Sequence, residues 1–193
     1  EYKRQLIRRA RQGDEKALGK RLDEHRAYLK LLAQRAVGAG VEARVDSSDL
    51  VQQTCLSAVK HFNGFEGDDQ AQFIAWLRTI HERNIHDTLR RHVYAEKRAV
   101  SNEQSIDDSR TPAAAAHDIS ATSPSQRAMR DERAVELAAG LAKLPDDQRE
   151  AVRLRHLEGC TLSDLAERFG RSEDAVAALL KRGLENLRKC MKQ

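Results

Sequence analysis

Aromatic residues are scarce in this 193-residue chain: Phe, Trp and Tyr together make up 4% of it, with a single Trp. That scarcity, beside plentiful Ala, Leu, Arg and Glu, disfavours sheets and favours helices. Long apolar runs are also missing, so no segment reads as a membrane-spanning helix. Cys55, Cys160 and Cys190 are isolated, with no C-x-x-C pair. Their spacing argues against a disulfide framework and fits a reducing compartment. Each reads as a small, mostly buried apolar side chain. A secretory leader is not apparent either, because the opening "EYKRQLIRRARQG" is basic and mixed. The chain starts without Met, as a trimmed chain would.

What is abundant is charge, at 33% of residues, yet the formal net charge is only +4. So small an excess does not by itself indicate nucleic-acid binding, but its distribution is informative. Residues 1–98 carry 19 basic against 14 acidic side chains, residues 99–125 one against four, and residues 126–193 14 against 12. The middle stretch, "AVSNEQSIDDSRTPAAAAHDISATSPS", holds two of the three prolines and shows no sustained apolar period. Such a segment buries too little surface to offset its ordering entropy and reads as a flexible acidic linker. The expected fold is therefore all-α, with two small helical domains, 1–98 and 126–193, joined by that linker.

Helical spacing relates Leu18, Leu22, Tyr28, Leu29, Leu32 and Ala36, and the "GAG" at 38–40 is expected to end that helix. "VDSSDLVQQTCLSAVKHF" opens on cap-type residues, with Leu50, Val51, Thr54, Ala58 and Val59 as its apolar stripe. "NGFEGDDQ" reads as a loop. A long helix is expected from about Ala71 to Arg98, with Phe73, Trp76, Leu77 and Ile80 facing a core.

Inside that helix "HERNIH" imitates the H-E-x-x-H zinc signature. In the true motif the histidines stand four residues apart on one helix face and reach one ion together. Here His86 follows His81 by five positions, which leaves the rings roughly 140° apart around the helix. No third ligand sits at a recognised spacing, so a metallohydrolase is rejected and no metal is expected. Both histidines are expected instead on a hydrated or nucleic-acid-facing surface. Phosphate loops and G-x-S-x-G nucleophile motifs are absent as well, leaving no catalytic residue to name.

The C-terminal block is more specific. "LAKLPDDQREAVRLRHLEG" places Pro145 at a helix start, Asp146 and Asp147 at the positive helix end, and Gly159 at its stop. "TLSDLAERFGRSEDAVAALLKRGLENLRK" then has the pattern of a helix-turn-helix. Thr161 and Asp164 suit a capping box, Ala166 a close helix crossing, and Gly170 a turn with positive φ. Ser172 suits the second N-cap, with Val176, Leu179 and Leu180 facing inward. The second helix would enter a DNA major groove, with Arg171, Lys181, Arg182, Arg188 and Lys189 available to phosphates. An αα-hairpin that binds only protein is the alternative.

"DLVQQTCLSAVKHFNGFEG…FIAWLRTI", an acidic linker and this C-terminal unit together resemble the bacterial sigma-70 family, over nearly the whole chain. The likeness is to the compact extracytoplasmic-function (ECF) type, which keeps only regions 2 and 4. It implies a promoter-specificity subunit of RNA polymerase, itself no enzyme and without cofactor, working in the bacterial cytoplasm. The implied partners are core RNA polymerase, through its β′ clamp and β flap, and promoter DNA, with an anti-sigma factor left open and no membrane.

By matching position, the resemblance assigns Asp49, Leu50, Gln52, Gln53 and Thr54 to polymerase docking, Gln53 standing where an acid is usual. It assigns Asn63, Phe65 and Asp69, in the loop 63–70, to capture of an unstacked −10 base. Arg78, Thr79, His81, Arg83, His86, Arg90 and Arg91 follow the −10 strand along the next helix. Arg83 replaces a common Asn there, while Asp87 matches. Arg171, Ser172, Ala175, Lys181 and Arg182 face the −35 element, and Ala177 replaces a frequent basic residue. The linker would thread the polymerase's RNA path, a role its negative charge suits, or act simply as a solvated tether. A stand-alone helix-turn-helix regulator, with the first domain as sensor, is the competing function. Against it, the first domain shows no ligand-pocket signature.

Overall fold

The computed structural model describes residues 2–41, 45–100 and 124–192. Most of the expected linker, residues 101–123, lies outside them. Among the described residues there are helices and no strand, in the order α1 (Tyr2–Arg11), α2 (Glu15–Val41), α3 (Ser47–His61), α4 (Gln70–Val100), α5 (Pro124–Ala142), α6 (Asp146–Leu157), α7 (Leu162–Phe169) and α8 (Glu173–Met191). A short 3-10 turn, Phe62–Gly64, follows α3.

The cap chemistry is local and follows the sequence. Asp46 accepts from the Ser48 amide at 2.7 Å and starts α3. Thr161 and Asp164 close a reciprocal capping box on α7, with bonds of 2.8 and 3.1 Å. Gly170 ends α7 at φ 60°, a left-handed conformation that favours a residue without Cβ, and Ser172 then caps α8. Pro145 sits at the N-cap of α6, one position ahead of the first turn.

Two boundaries differ from the sequence reading. The basic opening forms a helix of its own, α1, which buries Leu6, Ile7 and Ala10 against α2 and ends before Gly13 at φ 92°. Helix α2 does not stop at the "GAG" but runs to Val41. Ala33 and Val37 pack there with Val45, Leu50 and Ile85, and that tertiary burial outweighs the weak helix propensity of the glycines.

The main core joins α1, α2, α3 and α4, and Val135 and Ala138 of α5 belong to it. A second core joins Leu141 and Leu144, at the end of α5 and just beyond it, to α6, α7 and α8. Helix α5 thus supplies both cores, and Leu31 of α2 packs against each. The seam carries a polar lock: Arg78 Nη1 donates to Asp131 Oδ1 at 2.8 Å, and the Tyr28 hydroxyl donates to the same oxygen at 3.5 Å. Burial and the Asp131 charge both push the Tyr28 hydroxyl pKa upward, so it stays protonated and able to donate. The two helical units expected from sequence therefore share a helix instead of meeting only through a tether.

A buried histidine of α2, packed beside a buried arginine, gives the first unit a pH dependence. Arg21 lies 5.0 Å from the Phe73 ring centroid and pairs with Glu24. His25 Nδ1 donates to the Arg21 carbonyl at 2.6 Å, while its buried Nε2 has no hydrogen-bond partner. Burial lowers the His25 pKa to about 4, because a second ring proton would have nothing to bond. The unfolded chain takes up that proton near the ordinary value of 6.5. Stability from this group is thus complete above about pH 6.5 and is lost as pH falls toward 4. The expected loss over that window is about 3 kcal/mol. Urea unfolding at pH 7 and pH 4.5 should show it, and His25→Leu should shrink the difference, leaving the part contributed by the second buried histidine, His81. An equal pH slope in both proteins would refute the assignment.

Candidate functional site

Helix α3 presents one solvent-facing stripe. Asp49, Gln52 and Gln53 are exposed on it, and Leu56 and Val59 continue it at 60% and 55% exposure. Leu50 and Thr54, expected to share this surface, face the opposite way. Leu50 packs with Val37 and Ile85, and the Thr54 hydroxyl donates within the interior to the Leu50 carbonyl at 2.8 Å or to His81. Both are corrected from partner contacts to core residues. Sequence reading missed Leu56, and it placed Val59 inside. The i, i+3, i+4, i+7 relation of Asp49, Gln52, Gln53 and Leu56 was the available signal.

The loop between α3 and α4 holds three expected base-capture residues, and it separates them. Asn63 is exposed. Asp69 is occupied as a helix cap, accepting from the Gln72 amide at 2.8 Å. Phe65 is buried in an aromatic cluster, its ring centroid 5.0 Å from Trp76 and 5.8 Å from both Phe62 and Phe73. Gly67 closes over it so tightly that a Cβ there would overlap the Phe65 ring. Phe65 therefore offers no free stacking face, which corrects the sequence expectation: aromatic rings gain more from mutual packing than from standing in water.

Helix α4 sorts its polar residues by angle. Thr79, Arg83, His86 and Arg90 fall within about 60° of one another around the axis, and all four are exposed. Gln72 and Ala75, also exposed, extend the same row back to the loop. Arg91 is exposed about 100° away from Arg90. Arg78 and His81 leave this face altogether. Arg78 turns to Asp131 of α5 and to Glu82, at 2.8 and 2.7 Å.

His81 is 0% exposed. Its Nε2 donates to the Leu29 carbonyl at 2.8 Å, which leaves Nδ1 as an acceptor facing the Thr54 hydroxyl at 2.7 Å. Burial lowers its pKa and keeps it neutral, as that pattern requires. With both nitrogens occupied inside the bundle, His81 is neither a DNA contact nor a free ligand. It ties α2, α3 and α4 together, which corrects its surface placement.

In the second unit Arg171, Ser172, Ala175, Lys181 and Arg182 are all exposed. Arg171 is held by Asp147 of α6 at 2.7 Å, with its guanidinium 5.9 Å from the Phe169 ring centroid. Ser172 accepts from the Ala175 amide at 3.3 Å. Lys181 and Arg182 point about 100° apart. Lys181 lines an open groove of about 430 Å³ with Arg155, His156, Leu162 and Arg188, while Arg182 is nearly in line with Ala175.

A helical bundle with a polar, arginine-bearing helix face, sharing α5 with a capped helix-turn-helix, defines a helical DNA-binding protein. Residues 22–93 match sigma-70 region 2, and residues 134–187 match sigma-70, region 4. RNA polymerase sigma factor CarQ of Myxococcus xanthus is 31% identical over 185 residues, which span 96% of this chain and 95% of that protein. ECF RNA polymerase sigma-E factor of Haemophilus influenzae is 26% identical, over 84% of this chain and 80% of its own length. Among solved structures, CnrH in complex with the cytosolic domain of CnrY aligns with 100% of this chain and 98% of that one, at 21% identity and a TM-score of 0.36.

The chain belongs to the sigma-70 family, in its extracytoplasmic-function branch. It is a transcription initiation factor that binds core RNA polymerase and directs initiation at promoters. No helix among the described residues is long and apolar enough to cross a membrane.

Proposed function

We propose a division of labour in which residues 1–98 dock on polymerase and take the −10 element, and residues 126–193 take the −35 element. The protein works by binding alone, without chemistry of its own, in the bacterial cytoplasm. Asp49, Gln52, Gln53, Leu56 and Val59 form the polymerase face. Asn63, Arg83, His86 and Arg90 meet the −10 strand, with Arg91 at its margin. Ser172, Ala175 and Arg182 approach the −35 duplex, flanked by Arg171 and Lys181. Arg171 must exchange Asp147 for a phosphate to take part. An anti-sigma protein is a third partner, competing for the exposed apolar pair on α3.

The observation that carries this reading is the single row Thr79, Arg83, His86 and Arg90, which leads from the loop along one side of α4. Two arginines about 10 Å apart on a helix suit a tracked phosphate backbone, with shorter side chains between them free to meet bases. Arg83→Gln with Arg90→Gln is expected to weaken open-complex formation by roughly ten- to a hundredfold, at about 1.5–3 kcal/mol for loss of charge-assisted bonds. Affinity for core polymerase should stay as it was. In vitro transcription and polymerase binding with purified components measure the two separately. Unchanged initiation in that double variant would remove α4 from the DNA.

A further inference from the structure

Helix α1 precedes residue 22, where the match to region 2 begins. Its sequence, YKRQLIRRAR, contains five basic residues and no acidic one. Packing and pairing divide these residues by flank. Leu6, Ile7 and Ala10 are buried on α2, and Arg9, on one side, is taken by Asp14 at 2.6 Å. On the other side Arg4, Arg8 and Arg11 fall within about 60° around the axis and span about 10 Å along it. All three are exposed.

The direction of this row is set by its last member. Arg11 Nη1 reaches the Glu66 carbonyl at 3.5 Å, so the row begins at the loop between α3 and α4 and runs away from it. The loop itself carries Glu66 and Asp68, both exposed, which repel a phosphate backbone. Beside them, Arg4 and Arg8 supply positive charge over about 6 Å, a length in which one DNA strand carries about two phosphates.

We propose that Arg4 and Arg8, in the row that Arg11 anchors to the loop, are a further DNA contact, holding backbone phosphates of the promoter strand next to the −10 bases. The inference rests on the reading that the loop and α4 face the −10 element. Arg11 fixes the loop, and Arg4 and Arg8 grip the strand as it leaves it. Charge complementarity selects the ligand: a cationic row with no acid on its own helix suits a polyanion and carries no base-specific group.

The test uses the full chain with core polymerase, on a promoter fragment that the unaltered chain opens in run-off transcription. The quantity read is the salt dependence of open-complex stability. Arg4→Gln with Arg8→Gln should make the plot of log affinity against log salt shallower by roughly 1.4, for two lost single-strand phosphate contacts. Affinity for core polymerase should not change. Arg4→Lys with Arg8→Lys should keep the original slope, because phosphate binding needs charge and not guanidinium geometry. If the glutamine pair melts at a lower temperature, each single variant carries the same comparison at about half the change in slope.

An unchanged slope overturns the proposal, and so does an equal loss of polymerase affinity, which would make α1 a protein contact. If the Arg83/Arg90 variant loses initiation while the Arg4/Arg8 variant does not, only this inference fails. If the unaltered chain opens no promoter, both readings fall together.

Discussion

Leu56→Asp is expected to lower affinity for core RNA polymerase by about two orders of magnitude while leaving the thermal melt in place. Leu56 and Val59 are large apolar side chains left 60% and 55% exposed on a helix whose opposite face is buried. They lie among Asp49, Gln52, Gln53 and Lys60, a polar rim around an apolar centre, as in protein interfaces. Burying a leucine side chain contributes about 1.5–3 kcal/mol, and an aspartate in its place adds the cost of an unpaired charge taken out of water. The sum exceeds about 3 kcal/mol, or roughly a hundredfold in affinity. Because Leu56 already meets solvent in the free chain, the same change should move its stability by less than about 0.5 kcal/mol. Fluorescence anisotropy of the labelled chain against core polymerase reads the first quantity, and a circular dichroism melt reads the second. Full affinity in the aspartate variant would place polymerase docking elsewhere on the bundle.

His81→Ala should produce the reverse pattern, lowering stability by about 3 kcal/mol through a cavity and lost hydrogen bonds. In a chain of this size the melting midpoint should then fall by roughly 6–12 °C. The cause lies in three helices. The ring fills space between α2 and α4, gives its Nε2 proton to the Leu29 carbonyl and takes a bond from Thr54 of α3. Asn84 also donates into the Thr54 oxygen at 3.2 Å, so loss of the ring disturbs a connected polar set. His86, five positions later and exposed, should tolerate alanine with a change below about 0.5 kcal/mol, its effect appearing in promoter opening. A normal melt for His81→Ala with impaired opening would return that residue to the DNA face.

The two histidines show how far the sequence reaches. Their five-residue separation is enough to place them on different sides of a helix, and that rejects a shared metal ion. It does not say which side is covered. Helix α4 packs against α2, α3 and α5, so more than one of its faces is interior. A polar residue on such a face is retained by partners far away in the chain. His81 meets groups 27 and 52 positions distant, and Arg78 meets Asp131 at 53.

The residues that local chemistry controls were legible without a structure. Asp46, Thr161 with Asp164, Gly170 and Ser172 act where they were expected, because a cap is decided by three or four neighbouring residues. The exposure of Arg171, Ser172, Ala175, Lys181 and Arg182 follows from the same helix-turn-helix pattern, and the motifs of regions 2 and 4 sufficed to name the family. Only the tertiary structure decided that Leu50, Thr54, Phe65 and His81 are interior, that Arg78 is claimed by α5, and that α1 carries a separate cationic row. Periodicity states which side chains share a face; the helices packed against that face determine whether it meets water, and those contacts join residues too distant for any local pattern to record.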